Sequence, residues 1–364
     1  MSFEKGTTAL SIFRLSEKLP EDALEIFESK AAGPYQDTGS EECLGWVSGR
    51  HLLEREINEG TAICGGSYYL NLRITQRKVP PALLAAECRM LELSFMQENG
   101  TDFVPTKVKR EIKSNVESKR ISQMPPQLAG IPFVIDRSSN ILYLGTASTK
   151  AQDTFLSFFY DTFKIEPIPV TFEDIMIRHF QETPEVLPKV TFSDSNNEDD
   201  FLPGRDFLTW LWYFNEDKGG QISIDTYGGF NLSVEGPLNL ALVDESQGAG
   251  ETVVKKGMPQ RSAEAKAALS VGKKLKKAKI SITRGEHIWS CTFDADNFTF
   301  SGLKLPDGEE MDMHSVFAER VNFLHIFHLA FEEYVVKFIK TLKSDDFEEE
   351  QKKMHKWSAD RDAV

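Results

Sequence analysis

The sequence predicts an α+β fold built from mixed, mainly antiparallel sheets with flanking helices. Three observations predict it. Short alternating apolar and polar stretches recur along the chain. Several of them pair across strong turn signals, as 131-IPFVID-136 and 141-ILYLGTA-147 do around Arg137-Ser138-Ser139-Asn140. Stretches of helical period are interspersed with these strand pairs. With 364 residues, 40% hydrophobic and 26 of them Phe, the chain can bury a large core and would ordinarily divide into two or three subdomains.

In chain order, 8-TALSIFRL-15 alternates as a strand, and Pro20 with the acids after it opens a helix over 20–31. Turn-rich sequence from Gly33 to Gly45 leads to Gly45-Trp46-Val47, and 61-TAICGGSYYLNLRIT-75 reads as a strand pair turning at Gly65-Gly66. From Pro80 to Met96 the period is helical, with Leu83, Leu84, Cys88, Leu91 and Phe95 on one side. The next helix, 107-KVKREIKSNVESKR-120, carries four net positive charges and ends before Pro125-Pro126. After the hairpin, Ser148 is placed to cap a helix bearing Phe155, Phe158, Phe159 and Phe163, and 165-IEPIPVTF-172 is extended. The β-α-β order of the first 35 residues recurs near 141–170, a hint of internal duplication.

Residues 182–200 are rich in Pro and acids and read as an exposed connection. A helix at 204-GRDFLTWLWYF-214 follows, then a hairpin of 221-QISIDTY-227 and 230-FNLSVEG-236. Strands at 286–295 and 297–305 precede a long amphipathic helix from about His314 to Leu342, and the charged last twenty residues read as frayed. The expected organisation is an N-terminal α+β region over 1–172 and an acidic connection over 173–203. A helix plus hairpin over 204–250 comes next, then the basic segment, hairpin and long helix over 251–342, and a charged tail over 343–364.

Charge is segregated along this chain. Between Lys255 and Arg284 lie ten Lys or Arg residues and one acid, Glu264, a +9 segment in a protein of net charge −14. Such a segment repels itself, and a polyanion meeting that surface, most plausibly a nucleic-acid backbone, accounts for it. A bland solvated charged face is the competing explanation. Two geometries are open for 262-SAEAKAALSVGKKLKKAK-279. One long helix would put Lys266, Lys273 and Lys277 on one face. A helix stopping near Gly272, followed by a strand through 278-AKISIT-283, is favoured because Gly terminates helices and the alternation is β-like. On that reading Lys277 and Lys279 share a face with Ser281 and Thr283, while Ala278, Ile280 and Ile282 turn to the core. Few aromatics interleave with the bases, which favours duplex backbone contact over single-strand stacking.

Arg14-Leu15-Ser16, Gly45-Trp46-Val47, Lys78-Val79-Pro80, Ile135-Asp136, 147-ASTKAQDTF-155, Pro167-Ile168-Pro169, Lys255-Lys256 and Gly272-Lys273 occur in an order and spacing that resemble the recombination-associated protein RdgC family of bacterial DNA-binding proteins. The resemblance spans most of 8–172 and 250–305. It implies a horseshoe-shaped, multi-subdomain subunit, a ring-shaped homodimer closed around double-stranded DNA, binding without sequence preference through a positive inner rim, and restraint of a RecA-type recombinase indirectly, by occupying DNA. Lys78, Lys255 and Lys256 match DNA-facing positions of that family. Arg120 and Ile121 lie near one of its two dimer contacts, altered here by Met124-Pro125-Pro126, and region 201–247 departs from its pattern.

The expected DNA-binding bases are therefore Lys78, then Lys107, Lys109, Arg110, Lys113 and Arg120, then Lys255, Lys256, Arg261, Lys266, Lys273, Lys274, Lys277 and Lys279. Ile121 and Met124 are the expected dimer contacts. No phosphate-cradling Gly motif is present, and no cofactor or metal is expected. His325 and His328 with Glu332 and His314 could face one side of a helix, but their apolar neighbours make buried histidines the better reading. A metal-dependent nuclease using Glu264, Lys266 and Asp244, with Asp199 and Asp200 as another acid pair, is a second function class. A protein-interaction module with a basic docking surface is a third. The Trp210 and Trp212 cluster reads as core or dimer contact. Four scattered cysteines, no visible signal peptide and no bilayer-length apolar stretch point to a cytoplasmic protein, and the resemblance implies that it is nucleoid-associated.

Overall fold

The computed structural model describes residues 3–195, 201–242, 250–309 and 312–360. The first half comprises β1 (Thr7–Leu15), α1 (Ala23–Ser29), β2 (Cys43–Ser48), α2 (Glu59–Ala62), β3 (Ile63–Cys64) and β4 (Ser67–Gln76). Then come α3 (Pro81–Asn99), α4 (Thr106–Ile121), β5 (Gln127–Asp136), β6 (Ile141–Leu144), α5 (Thr149–Phe163) and β7 (Pro167–Pro169). The second half comprises α6 (Phe172–Phe180), α7 (Pro203–Lys218), β8 (Gln221–Ile224), β9 (Gly228–Ala241), β10 (Glu251–Val254) and α8 (Ala263–Ser270). It ends with β11 (Lys274–Arg284), β12 (His287–Asp294), β13 (Thr299–Lys304), α9 (Met313–Leu342) and α10 (Phe347–Ala359). The fold is α+β, as the alternating strand signals predict.

The strands form one antiparallel path, β10-β9-β11-β12-β13-β1-β6-β5-β4-β2, with β3 on β4, β7 on β1 and β8 on β9. The first strand joins the halves. Its Thr7, Thr8 and Leu10 pair with β13, while Ser11 to Arg14 pair with β6. Period-two alternation then decides which core each residue enters. Phe13, Leu72, Phe133 and Leu142 face α1 and α5, against Phe27, Phe155 and Phe159. Ile12, Tyr69, Val134 and Tyr143 face the other way, into the larger core.

That larger core runs along α9, whose 30 residues span about 45 Å at 1.5 Å per residue. Phe317 near its start packs at a tilt against Tyr69, with ring centroids 4.6 Å apart. Further along, Phe331 meets Phe293 and Phe300, and Phe338 meets Phe207 and Trp210. Helix α7 lies in this core, buried continuously from Arg205 to Phe214, so Trp210 and Trp212 are core. The far face of β9, β11 and β12 presents Ser233, Glu235, Lys277, Lys279 and Thr292.

Three expectations are corrected. Residues 182–200, expected as an exposed connection within the acidic stretch 173–203, are anchored in the core as far as they are described. Helix α6 packs on α9, and Leu187, Val190 and Phe192 are buried. The charged tail is not frayed over its described part. Helix α10 buries Phe347, Met354 and Ser358, and Trp357 packs edge-on against Trp212. Ser148 stands at the N-cap of α5 but makes no side-chain cap, and its own N–H donates to Thr146 Oγ1. The two β-α units of the first half do cover the same sheet face, with α1 packed on α5.

Candidate nucleic-acid interface

The basic segment folds as a capped helix, a stop and a strand. Ser262 Oγ accepts from the Ala265 N–H at 3.2 Å to start α8, and Gly272, at φ +88°, turns the chain into β11. This geometry sends several lysines inward. Lys274 is 1% exposed, and its Nζ lies 2.5 Å from Asp206 Oδ1 on α7 and 3.3 Å from the Val190 carbonyl. Lys266 donates to Glu216 Oε2 at 3.1 Å and to the Trp357 carbonyl at 3.2 Å, with Nζ 3.5 Å above the Trp357 ring centroid. Burial pulls its ammonium pKa down, and Glu216 opposes that. Lys273, also buried, donates to Thr252 Oγ1. Lys266, Lys273 and Lys274 are therefore structural cations and face no ligand, contrary to expectation.

The strand face is as predicted in direction but differs in charge. Lys277 pairs with Asp294 at 2.8 Å, Lys279 with Glu235 at 2.7 Å, and Lys276 with Glu251 at 2.8 Å. Burial works to raise the Glu235 carboxyl, but hydrogen bonds from Lys279 and Ser281 outweigh it and hold it below the usual carboxylate range. Asp294 is held down in the same way by Lys277 and Asn297. Five of the ten bases thus meet carboxylates from outside the segment. Lys255, Lys256 and Arg261 remain exposed on the turn between β10 and α8.

A second group of bases stands at the other end of the sheet. Helices α3 and α4 pack chiefly on each other, between the ends of β4 and β5, and α3 buries no residue at all. Lys107, Lys109, Arg110 and Lys113 are exposed on α4, and Lys78 is exposed just before α3. Arg120 is half-buried instead, held by Glu87 at 2.6 Å and by Gln123 at 2.7 Å, so it is a strut between the two helices. A groove of about 900 Å³ at the base of this arm brings Lys78, Arg77, Pro80, Lys113, Glu117 and Ile121 together. Ile121 and Met124 are each half-buried, and the Met124 carbonyl accepts from Arg77.

The arm and the β10–α8 turn are not adjacent. Strands β4 and β10 are separated by eight steps in the sheet order, about 40 Å measured across the strands. The described structure thus holds two separate exposed basic groups rather than one continuous patch.

The other constellations dissolve or fall outside the described residues. Asp199, Asp200 and Asp244 lie outside them, and Lys266 is committed to Glu216. Among the described residues no three His, Cys, Asp or Glu side chains are grouped as metal ligands. His314 sits beside Cys64, with Nδ1 3.5 Å from Sγ, far along α9 from His328. Glu332 is the hub of a buried network. It accepts both Arg178 terminal nitrogens at 2.9 Å, approaches His179 Nε2 at 2.6 Å, and lies 3.3 Å from His328 Nε2.

Sequence reasoning missed Arg55, Arg73 and Arg77, which surround the loop before β2. The available signal was a lone Arg73 in 67-SYYLNLRITQ-76, a strand buried on both faces. No described helix is long and apolar enough to cross a membrane. Comparison with known proteins finds no family model that matches the chain, and no curated protein matches it.

Proposed function

We propose that the protein binds double-stranded DNA without sequence preference, as a ring-shaped homodimer resembling the RdgC family, and acts by occupancy rather than catalysis. One observation carries the reading. Folding satisfies Lys266, Lys274, Lys276, Lys277 and Lys279 internally, yet leaves Lys78, Lys107, Lys109, Arg110, Lys113, Lys255, Lys256 and Arg261 exposed and, among the described residues, ion-paired with no acid. These eight cations suit phosphate contacts, which release counterions and carry no sequence information. The two groups stand eight strand steps apart in the sheet order, and a duplex running along that path could touch both.

In this proposal Ile121 and Met124, at the base of the arm, contribute to the dimer contact. Occupied DNA then denies a RecA-type recombinase its substrate, in the cytoplasm at the nucleoid. The test is a gel shift on linear and circular duplex combined with a mass measurement. A dimeric mass, with linear DNA loaded in preference to circles, is expected. A monomer with equal loading of both would overturn the ring.

A further inference from the structure

The loop between α1 and β2 is fastened by three guanidinium groups. Arg55 Nε donates to the Ala32 carbonyl at 2.7 Å. Arg73 donates to the next carbonyl, Gly33, and to Leu52 O at 3.3 Å. Arg77 donates to Thr38 O at 2.7 Å and to Gln36 O at 2.8 Å. Among the described residues none of the three is ion-paired.

Arg73 is the unusual member. Its side chain is 2% exposed, and its Nε is buried without a hydrogen-bond partner. Buried charges are ordinarily paired, and an unsatisfied buried donor costs about 1–3 kcal/mol, more for a charged group. Burial lowers its pKa, and the like charge of Arg55 lowers it further. Arg73 also lines a cavity of about 170 Å³, together with Gly33, Asp37, Thr38, Cys43 and Leu44. At about 30 Å³ per water this space holds roughly five waters or one small oxyanion, and it is too small for a nucleoside. Arg55 is exposed and, among the described residues, has both terminal nitrogens uncommitted.

We infer that this cavity binds one small tetrahedral oxyanion, a phosphate group, gripped by the fork of Arg73 with Arg55 beside it. A guanidinium presents paired N–H donors that match two phosphate oxygens, and a bound anion would balance Arg73, whose terminal nitrogens otherwise meet only carbonyls and which, among the described residues, makes no ion pair with Asp37 of the same lining. The site is independent of the proposed duplex binding, since its ligand is a single phosphate group and its cavity is distinct from the groove of Lys78.

The experiment is calorimetric titration of the full chain with inorganic phosphate, against chloride at equal ionic strength and without DNA. Saturable binding of one phosphate per chain is expected, weakened at least tenfold in Arg55→Gln and lost in Arg73→Lys, which keeps the charge but not the fork. Should Arg73→Lys fail to fold by circular dichroism, the surface variant Arg55→Gln decides alone. Thymidine monophosphate as competitor separates the sources. Displacement of phosphate assigns the site to monoester ends, and failure to displace assigns it to the free ion, both within the same chemistry. No saturable phosphate binding to the wild type, or unchanged affinity in Arg55→Gln, overturns the inference.

Discussion

Lys274 Nζ and Asp206 Oδ1 stand 2.5 Å apart with each side chain only 1% exposed, so a lysine from the most basic stretch of the chain is an internal counter-ion joining β11 to α7. Removing one partner of such a pair leaves the other charge buried and costs about 3–5 kcal/mol, whereas replacing both by apolar groups of similar size is often near neutral. Asp206→Ala is therefore expected to lose about 3–5 kcal/mol in urea unfolding. The double variant Asp206→Leu with Lys274→Met should recover most of it. A single-variant loss below about 1 kcal/mol would mean that water reaches the pair.

The paired and unpaired lysines should separate in a salt titration of DNA affinity. Each phosphate contact contributes about 0.9 to the slope of log affinity against log salt. Replacing Lys107, Lys109, Arg110 and Lys113 by Gln should flatten that slope by about 3 to 4 and weaken binding uniformly across sequences. Lys279→Gln, whose amine already meets Glu235, should leave the slope nearly unchanged. Equal effects from both variants would remove the basis for distinguishing spent from available charge.

Local patterns were legible and long-range pairing was not. Gly272 as a stop and the alternation of Ala278, Ile280 and Ile282 are short-range signals, and the structure has α8 ending at Ser270 and β11 starting at Lys274. The fates of the lysines depended on Asp206, Glu216, Glu235, Glu251 and Asp294, which tertiary folding delivers from other elements. Composition also hid α10, because Phe347, Met354 and Trp357 lie among acids and lysines and only their helical spacing marks a buried face. In the candidate interface, the α4 bases were readable as a helix face, but their distance from Lys255 and Lys256 follows from sheet order, which no local pattern encodes.

The network around Glu332 makes stability depend on acid pH. Burial works to raise this carboxyl, but His328, Arg178 and His179 outweigh it and hold it far below the usual carboxylate range. A depressed folded-state pKa means that the stabilisation is complete above the unfolded value of about 4.3 and declines as the pH falls toward the folded one. Half-buried His325, whose pKa is lowered by burial and by nearby His328, adds a loss of the same sign below about 6.5. Glu332→Gln should cost about 3–5 kcal/mol at pH 7 by leaving Arg178 and its neighbours short of a counter-charge. Urea midpoints should show that gap narrowing between pH 5 and pH 3, and a gap independent of pH would contradict the role given to the carboxylate.

The last helix is expected to be part of the folded unit rather than an appendage. Met354 is fully buried, Ser358 is 2% exposed, and Trp357 covers the Lys266 ammonium while packing edge-on against Trp212 and Tyr213. Met354→Ala creates a cavity in this contact and should cost about 2–5 kcal/mol. Trp357→Ala should cost about 1–2 kcal/mol from the lost cation–π contact, plus the apolar area it exposes. Because Lys266 would keep Glu216 and the backbone carbonyl of residue 357 but in a more hydrated surrounding, its depressed pKa should move back toward the ordinary lysine value, a shift that NMR titration of the amine can follow. A chain ending at Asp345 should unfold at lower urea in one cooperative step together with α7 and α8. Wild-type urea midpoints from the truncated chain would instead show that α10 docks without stabilising the core it touches.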